Sequence, residues 1–305
     1  YYGQWMRNEA EKRIGNLYPQ IDITVEMTHS RPDLKPYVGQ KLTVIAWIWA
    51  RTVKSPNPAF AQVDVPLAST FLLSSKAGKE AYVQPLIADN NYRFEVRAGK
   101  PRNLEATKNG TKLARANFVC LMSNSPISGD YVKSEGKAVR IVARLMSIVA
   151  VGERGRVYLA PTPDMERIAL TATPEWKPDV TISGSTQYLG VKPYGMDRFD
   201  QLFTNRQLVA LTTFSDLVKE AHGQVYRDAV ANGCLDDDAR LADGGTGARA
   251  YSDAIAAYLA LALNKVADRN STVCGWDNGF QKIANTFGRQ ALSMRWDFAE
   301  CNVFS

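Results

Sequence analysis

Residues 41–53 read KLTVIAWIWARTV, and this stretch decides the class of fold. β-Branched and aromatic side chains dominate it, it contains no Gly or Pro, and only Lys41 and Arg51 are charged. Such a run predicts a buried β-strand. Trp47 and Trp49 flank Ile48, so the alternation of a strand places both indoles on one face. They can stack on a nucleic-acid base or pack in a core, and the neighbours Val44 and Ile45 favour the core.

Working outward, residues 67–74, 81–87 and 92–96 predict further strands, broken by Gly78, Asp89 and Asn90, which together make an antiparallel meander. Residues 117–122 predict another strand and 130–136 a short helix. Residues 138–151 and 156–159 flank Gly152-Glu-Arg-Gly155, a hairpin turn. On the N-terminal side, residues 1–14 predict an amphipathic helix carrying Tyr2, Trp5, Met6 and Ile14 and stopped at Gly15, followed by a connector over 29–40 with Pro32, Pro36 and Gly39.

Beyond residue 160 the pattern turns helical. Pro163 opens a helix to Thr171, and residues 174–195 are loop-like. Thr204-Asn-Arg-Gln207 is a capping box that opens a long helix to about Ala231, with Gly233 as a stop. Residues 247–268 predict a second long helix, and the apolar stretch 290–298 a closing strand. The predicted fold class is α+β, an antiparallel β-rich N-terminal half followed by an α-helical C-terminal half. The expected division is an N-terminal helix and connector (1–40), a β-rich domain (41–160) and a helical domain (161–305).

The 305 residues carry 45% hydrophobic and 10% aromatic side chains, which excludes a disordered chain. No apolar run reaches the ~18 residues needed to cross a bilayer, so no membrane association is expected. Nothing at the N-terminus resembles a signal peptide. Cys120, Cys234, Cys274 and Cys301 form no C-x-x-C pair, and reduced thiols in a cytoplasmic protein are expected. The chain starts at Tyr1 rather than Met, so a piece of a longer protein is expected.

The net charge is +6, and its distribution is uneven. Residues 97–115 hold Arg97, Lys100, Arg102, Lys108, Lys112 and Arg115 against a single acid, Glu105. With Gly99, Pro101, Asn109 and Gly110 among them, they predict an exposed basic loop, which either neutralises DNA phosphates or serves only as a solubilising loop.

Several short stretches, in order along nearly the whole chain, resemble the adenine-specific DNA methylases described as containing a zinc ribbon. They are YGQWM (2–6) with EAEKR (9–13), KLTVIAW (41–47) with WART (49–52), EGK (135–137), GRVY (155–158), LF (202–203) with RQL (206–208), LTTFSDL (211–217), WDFAE (296–300) and NVFS (302–305). The resemblance implies an S-adenosylmethionine-dependent enzyme that methylates the adenine N6 amino group in DNA. It also implies a glycine-rich cofactor loop upstream of this region and a D-P-P-Y-type motif downstream, whose aromatic ring stacks on a flipped base. No such tetrapeptide occurs here. The chain is therefore expected to be a DNA-engaging or target-recognition insert, partnered by DNA and the rest of the methyltransferase, with no catalytic residues and no cofactor of its own. The alternative is a structural or protein-interaction insert that braces the catalytic core.

The zinc ribbon itself is expected to be degenerate. Where the resemblance implies C-P-x-P-x-C, the chain has Ser55-Pro-Asn-Pro-Ala-Phe60, and the second half falls on Cys120-Leu-Met-Ser123. Tetrahedral zinc needs four good donors and phenylalanine supplies none, so a meander held by apolar packing is expected in place of a metal site.

The remaining candidates have bland readings. Asp243-Gly-Gly-Thr-Gly247 precedes a helix and can offer backbone N–H groups to phosphate, but it matches no nucleotide fingerprint and reads better as a helix entry. Asp297 and Glu300 can serve a neighbouring cofactor site or a strand-end turn. His29 and His222 have no partner motif. Asp236 to Asp238 lack calcium-loop spacing and are expected to be solvated.

Overall fold

The computed structural model describes residues 1–153 and 155–305; Arg154, in the predicted hairpin turn, lies outside the described residues. The N-terminal segment forms helix α1 (Tyr2–Ile14), strand β1 (Ile21–Asp22), helix α2 (Val25–Ser30) and strand β2 (Lys41–Leu42), with β1 and β2 paired antiparallel. Met6, Ala10 and Ile14 recur every four residues and form the buried face of α1.

Strand β3 (Val44–Lys54) is the centre of the largest sheet. Its burial is nearly continuous because both faces are covered. Trp47 and Trp49 face one core with Ile148, Leu159 and Phe298, whereas Ala46, Ile48 and Ala50 face a second core with Phe71, Val83 and Phe94. The two tryptophans thus pack in the core. Strand β4 (Asp64–Leu67) pairs with the C-terminal part of β3.

A second, three-stranded sheet consists of β5 (Leu72–Ser74), β6 (Ala81–Ala88) and β7 (Asn91–Ala98). On β7, Tyr92, Phe94 and Val96 point inward and Arg93, Glu95 and Arg97 outward, as the period of two requires. The single strand expected over 67–74 is interrupted, because Ala68 and Phe71 bond to another segment: Thr111 N–H donates to Ala68 O, and Phe71 N–H to Thr107 O.

That segment corrects the expectation of a continuous basic loop over 97–115. Asn103 Oδ1 accepts from Ala106 N and caps helix α3 (Leu104–Asn109), which leads into strand β8 (Lys112–Ala114). Gly110 lies against the backbone at φ +57°, where an added Cβ would sit 2.5 Å from Ala68 O. Strands β9 (Asn117–Val119) and β10 (Pro126–Ile127) complete a small sheet with β8, and helix α4 (Gly129–Lys137) follows, capped by Ser128.

Strands β11 (Val142–Gly152) and β12 (Gly155–Leu159) form the expected hairpin, and β11 pairs along β3. The helical part comprises α5 (Pro163–Thr171), α6 (Asn205–Ala231) and α7 (Ala248–Ala267). The capping box at Thr204 and Gln207 is formed. Met6 and Ala10 of α1 pack on Leu217 and Ala221 of α6.

The chain then makes the ribbon β13 (Trp276–Asp277) and β14 (Lys282–Ile283) and ends in β15 (Asp297–Cys301). The closing strand lies further along than the expected 290–298, because it begins only where the chain reaches the edge of β3; there Phe298 pairs with Trp49 and Glu300 with Trp47. The architecture is α+β, with antiparallel sheets mostly in the N-terminal half and long helices in the C-terminal half, and β15 returns to the N-terminal sheet.

Candidate nucleic-acid interface

Three of the six predicted cations line two grooves, and the other three are exposed outside them. Arg97 and Arg102 line a groove of about 710 Å3 with Tyr82, Gln84 and Asn103. Lys112 lines a separate cleft of about 580 Å3 together with Lys282, Arg289 and Arg295. Lys100 is exposed in the turn after β7, Lys108 is exposed on α3, and Arg115 is exposed in the β8–β9 turn at φ +53°. The contact of residues 68–71 with 107–111 separates the two grooves.

The cations differ in how far they are already engaged. Arg97 is held by Glu95 Oε2 at 2.6 Å and donates from Nε to Gln84 Oε1 at 3.0 Å. Lys100, Arg102, Lys108, Lys112 and Arg115 have no ion pair among the described residues, nor do Lys282, Arg289 and Arg295. By contrast, Arg7, Lys12, Arg13, Lys133 and Arg167 on the helices each have a carboxylate partner. Lys112, Lys282, Arg289 and Arg295 converge on one cleft, with Asp277 the acid in its lining, and several cations gathered in one place are a condition for attracting a polyanion.

A buried cation stands behind the cleft wall. Arg51 donates from Nε to Arg295 O at 2.8 Å and from Nη2 to Thr272 Oγ1 at 2.9 Å, and it lies 5.3 Å from the Phe298 ring centre. It has no carboxylate partner among the described residues, and burial pulls its pKa down to about 10. Asp277 is the acid in the cleft lining, and Asp297 accepts at 2.6 Å from the backbone N of Ser69, which also lines the cleft. Burial pushes the Asp297 carboxyl up, against the opposing pull of the Ser69 hydrogen bonds and of Arg295 and Lys112. Glu300, in contrast, is not available to any ligand: it is fully buried and paired with Arg206.

The segments 55–60 and 120–123 do meet. Ser55 Oγ lies 3.3 Å from Cys120 Sγ within an apolar cluster containing Val53, Val65 and Phe118. Burial pushes the Cys120 thiol up, but hydrogen bonds from Ser123 and Ser55 outweigh it and hold the thiol below its ordinary range. Among the described residues no three His, Cys, Asp or Glu side chains come together as metal donors.

The glycine-rich helix entry at 243–247 is already occupied by the chain itself. Asp237 Oδ2 accepts from Thr246 N at 2.7 Å, and Gly245 and Gly247 press on the backbone of Ala239 and Leu235. The residues there do not fit S-adenosylmethionine or a nucleotide phosphate. The neighbouring acids are not merely solvated: Asp236 accepts from Tyr226 Oη at 2.6 Å and Asp238 pairs with Arg249.

Sequence reading missed one cluster. His222 Nε2 lies 2.9 Å from Asp253 Oδ1 and 3.2 Å from Ser252 Oγ. Both partners share one ring nitrogen and the Ser252 hydroxyl also donates to Arg249 O, so the three cannot relay a proton as a nucleophilic triad does. His222 and its partners lie on different helices, which is why no local motif marked them. Lys282, Arg289 and Arg295 were also missed; they are scattered in sequence and gathered only by the cleft.

Compared with known proteins, the chain matches no family model, no curated protein and no solved structure. No helix among the described residues is long and apolar enough to cross a membrane.

Proposed function

We propose that this chain is a DNA-engaging region of an S-adenosylmethionine-dependent, adenine-specific DNA methyltransferase of the cytoplasm, and that it carries no methyl-transfer residues of its own. The observation that carries the DNA-binding part is the set of cations with no ion pair among the described residues: Arg102, Lys112, Lys282, Arg289 and Arg295 lining the two grooves, with Lys100, Lys108 and Arg115 exposed on the same stretch of chain as Arg102 and Lys112. Cations free of internal pairs exchange condensed counterions for phosphates without first breaking an ion pair. The methyltransferase assignment rests on the ordered stretches that resemble that family. The approach of Ser55 to Cys120 supports it, because a ribbon that has lost its metal would still bring those two positions together.

The test is fluorescence anisotropy on a short labelled duplex across a salt series, with the Lys100, Arg102, Lys108 and Lys112 to Glu variant alongside. Binding that weakens with salt and drops in the variant is expected. No binding at low salt would overturn the proposal.

One observation favours the alternative of an insert that braces a partner. Helix α7 exposes Tyr251, Tyr258 and Leu261, an apolar stripe at helical spacing. A stable complex with the catalytic remainder, formed without DNA binding and lost in a Tyr258→Glu variant, would establish it.

A further inference from the structure

The cleft beside Lys112 has a feature that phosphate neutralisation alone does not require. Two phenylalanines, Phe280 and Phe287, with 78% and 62% of their surface exposed, are flanked in sequence by residues that line it. Phe280 lies between Asp277 and Lys282 in sequence, and Phe287 between Thr286 and Gly288; these four neighbours all line the cleft. Lys282 Nζ is 5.0 Å from the centre of the Phe280 ring, so an ammonium holds one ring face beside the charged cleft. The Phe287 backbone is fixed by its N–H bond to Asp268 Oδ1 at 2.9 Å. Neither ring belongs to an apolar core cluster of the described residues.

We infer that this cleft binds an unpaired nucleic-acid strand, with backbone phosphates on Lys112, Lys282, Arg289 and Arg295 and bases stacked on Phe280 and Phe287. The inference rests on the DNA-binding proposal above and specifies the form of nucleic acid. Duplex DNA offers phosphates at its surface but keeps its base faces stacked inside, so exposed aromatic faces add nothing to duplex binding. A single strand offers both, and every base has a face to stack, which makes such contacts tolerant of sequence. A cleft volume of about 580 Å3 falls in the ~300–1,000 Å3 range that holds ligands of nucleotide size. Arg51, buried behind the wall with no carboxylate partner among the described residues, adds positive potential that an incoming phosphate offsets.

The experiment compares anisotropy of a labelled dodecathymidylate and a 12-base-pair duplex on the whole chain, wild type and three variants: Phe280→Ala/Phe287→Ala, Phe280→Trp/Phe287→Trp, and Lys282→Glu/Arg289→Glu. Melting curves confirm that each variant is folded. The expected result is tighter binding of the single strand, a loss of about 30-fold or more in the alanine pair for the single strand only, and recovery in the tryptophan pair. The glutamate pair loses both ligands. If the alanine pair leaves single-strand affinity unchanged while the glutamate pair still abolishes duplex binding, strand recognition is overturned and DNA binding stands. If neither nucleic acid binds wild type at low salt, both fall. Thymidine monophosphate competing as well as the oligonucleotide, phosphate for phosphate, would also overturn strand recognition, in favour of a free-nucleotide pocket.

Discussion

Arg206 and Glu300, 94 residues apart, form a fully buried ion pair: Arg206 Nε donates to Glu300 Oε1 at 2.9 Å and Nη2 to Oε2 at 2.8 Å. The pair is surrounded by further partners. Trp49 Nε1 and Thr204 Oγ1 also donate to the carboxylate, Arg206 Nη1 donates to Leu17 O, and the Trp47 ring lies 4.0 Å from the guanidinium. One contact thus joins the start of α6, the strand β15, the strand β3 and the turn after α1. Removing one partner strands a charge in the core, whereas removing both does not. Glu300→Gln or Arg206→Met is expected to cost ~3–5 kcal/mol by urea unfolding, and the Arg206→Met/Glu300→Leu double variant much less. Single variants costing under ~1 kcal/mol would show that the pair contributes little.

The salt dependence of DNA binding separates engaged from free cations. Arg102→Ala and Lys112→Ala are each expected to reduce the slope of log affinity against log salt by about 1, because each removes a phosphate contact. Arg97→Ala should leave the slope nearly unchanged, since Arg97 is already held by Glu95 and Gln84. Equal effects from all three would mean that the ion pair opens on binding.

Acid stability should report on Asp253. Its carboxylate accepts from Arg240, from His222 and from Leu241 N, and the Arg240 hydrogen bonds above all hold its pKa well below the ordinary carboxylate range. A folded-state pKa below the unfolded value of ~3.9 gives stability that is complete above about pH 4 and lost as pH falls toward the folded value. The melting-temperature gap between wild type and Asp253→Asn should therefore be widest near neutral pH and close as pH drops below about 4. A gap independent of pH would mean that Asp253 acts through packing alone.

Two glycines should respond oppositely to alanine. A Cβ on Gly136 of α4 would lie 2.6 Å from Tyr194 O, so Gly136→Ala forces backbone apart and is expected to cost ~1–3 kcal/mol. Gly223, within α6, would meet only the mobile end of Arg227 at 3.4 Å. Gly223→Ala should stabilise by roughly 0.5–1 kcal/mol through helix propensity. Thermal or urea unfolding of the two variants gives both signs.

Thiol reactivity offers a simple check on the packing. Cys234 is exposed, whereas Cys120 and Cys274 are buried. Native protein should release one equivalent rapidly to a thiol reagent at Cys234, and Cys120 should react only on unfolding. Rapid labelling of Cys120 would show that its apolar cluster opens readily.

Local chemistry in the sequence determined the elements whose signal is short-range. The run of β-branched and aromatic residues set β3, Thr204 and Gln207 set the start of α6, and Pro163 set the start of α5, because propensity and capping act within one turn or one strand. Tertiary structure decided what depends on pairing across long separations. The stretch 290–298 has apolar residues, but the closing strand starts at Asp297, where the edge of β3 becomes available. The basic stretch 97–115 reads as a loop, yet Thr107 and Thr111 tie it down through bonds to Ala68 and Phe71 that no local pattern encodes. The amide groups of the 243–247 loop look free in sequence and are filled by Asp237. The cleft followed the same rule. Lys112 was legible as part of a charge cluster, but Lys282, Arg289 and Arg295 share its cleft only in the folded chain, where β15, the strand that follows them, pairs with β3. Charge adds up over space, and the chain brings these residues together in space while keeping them far apart in sequence.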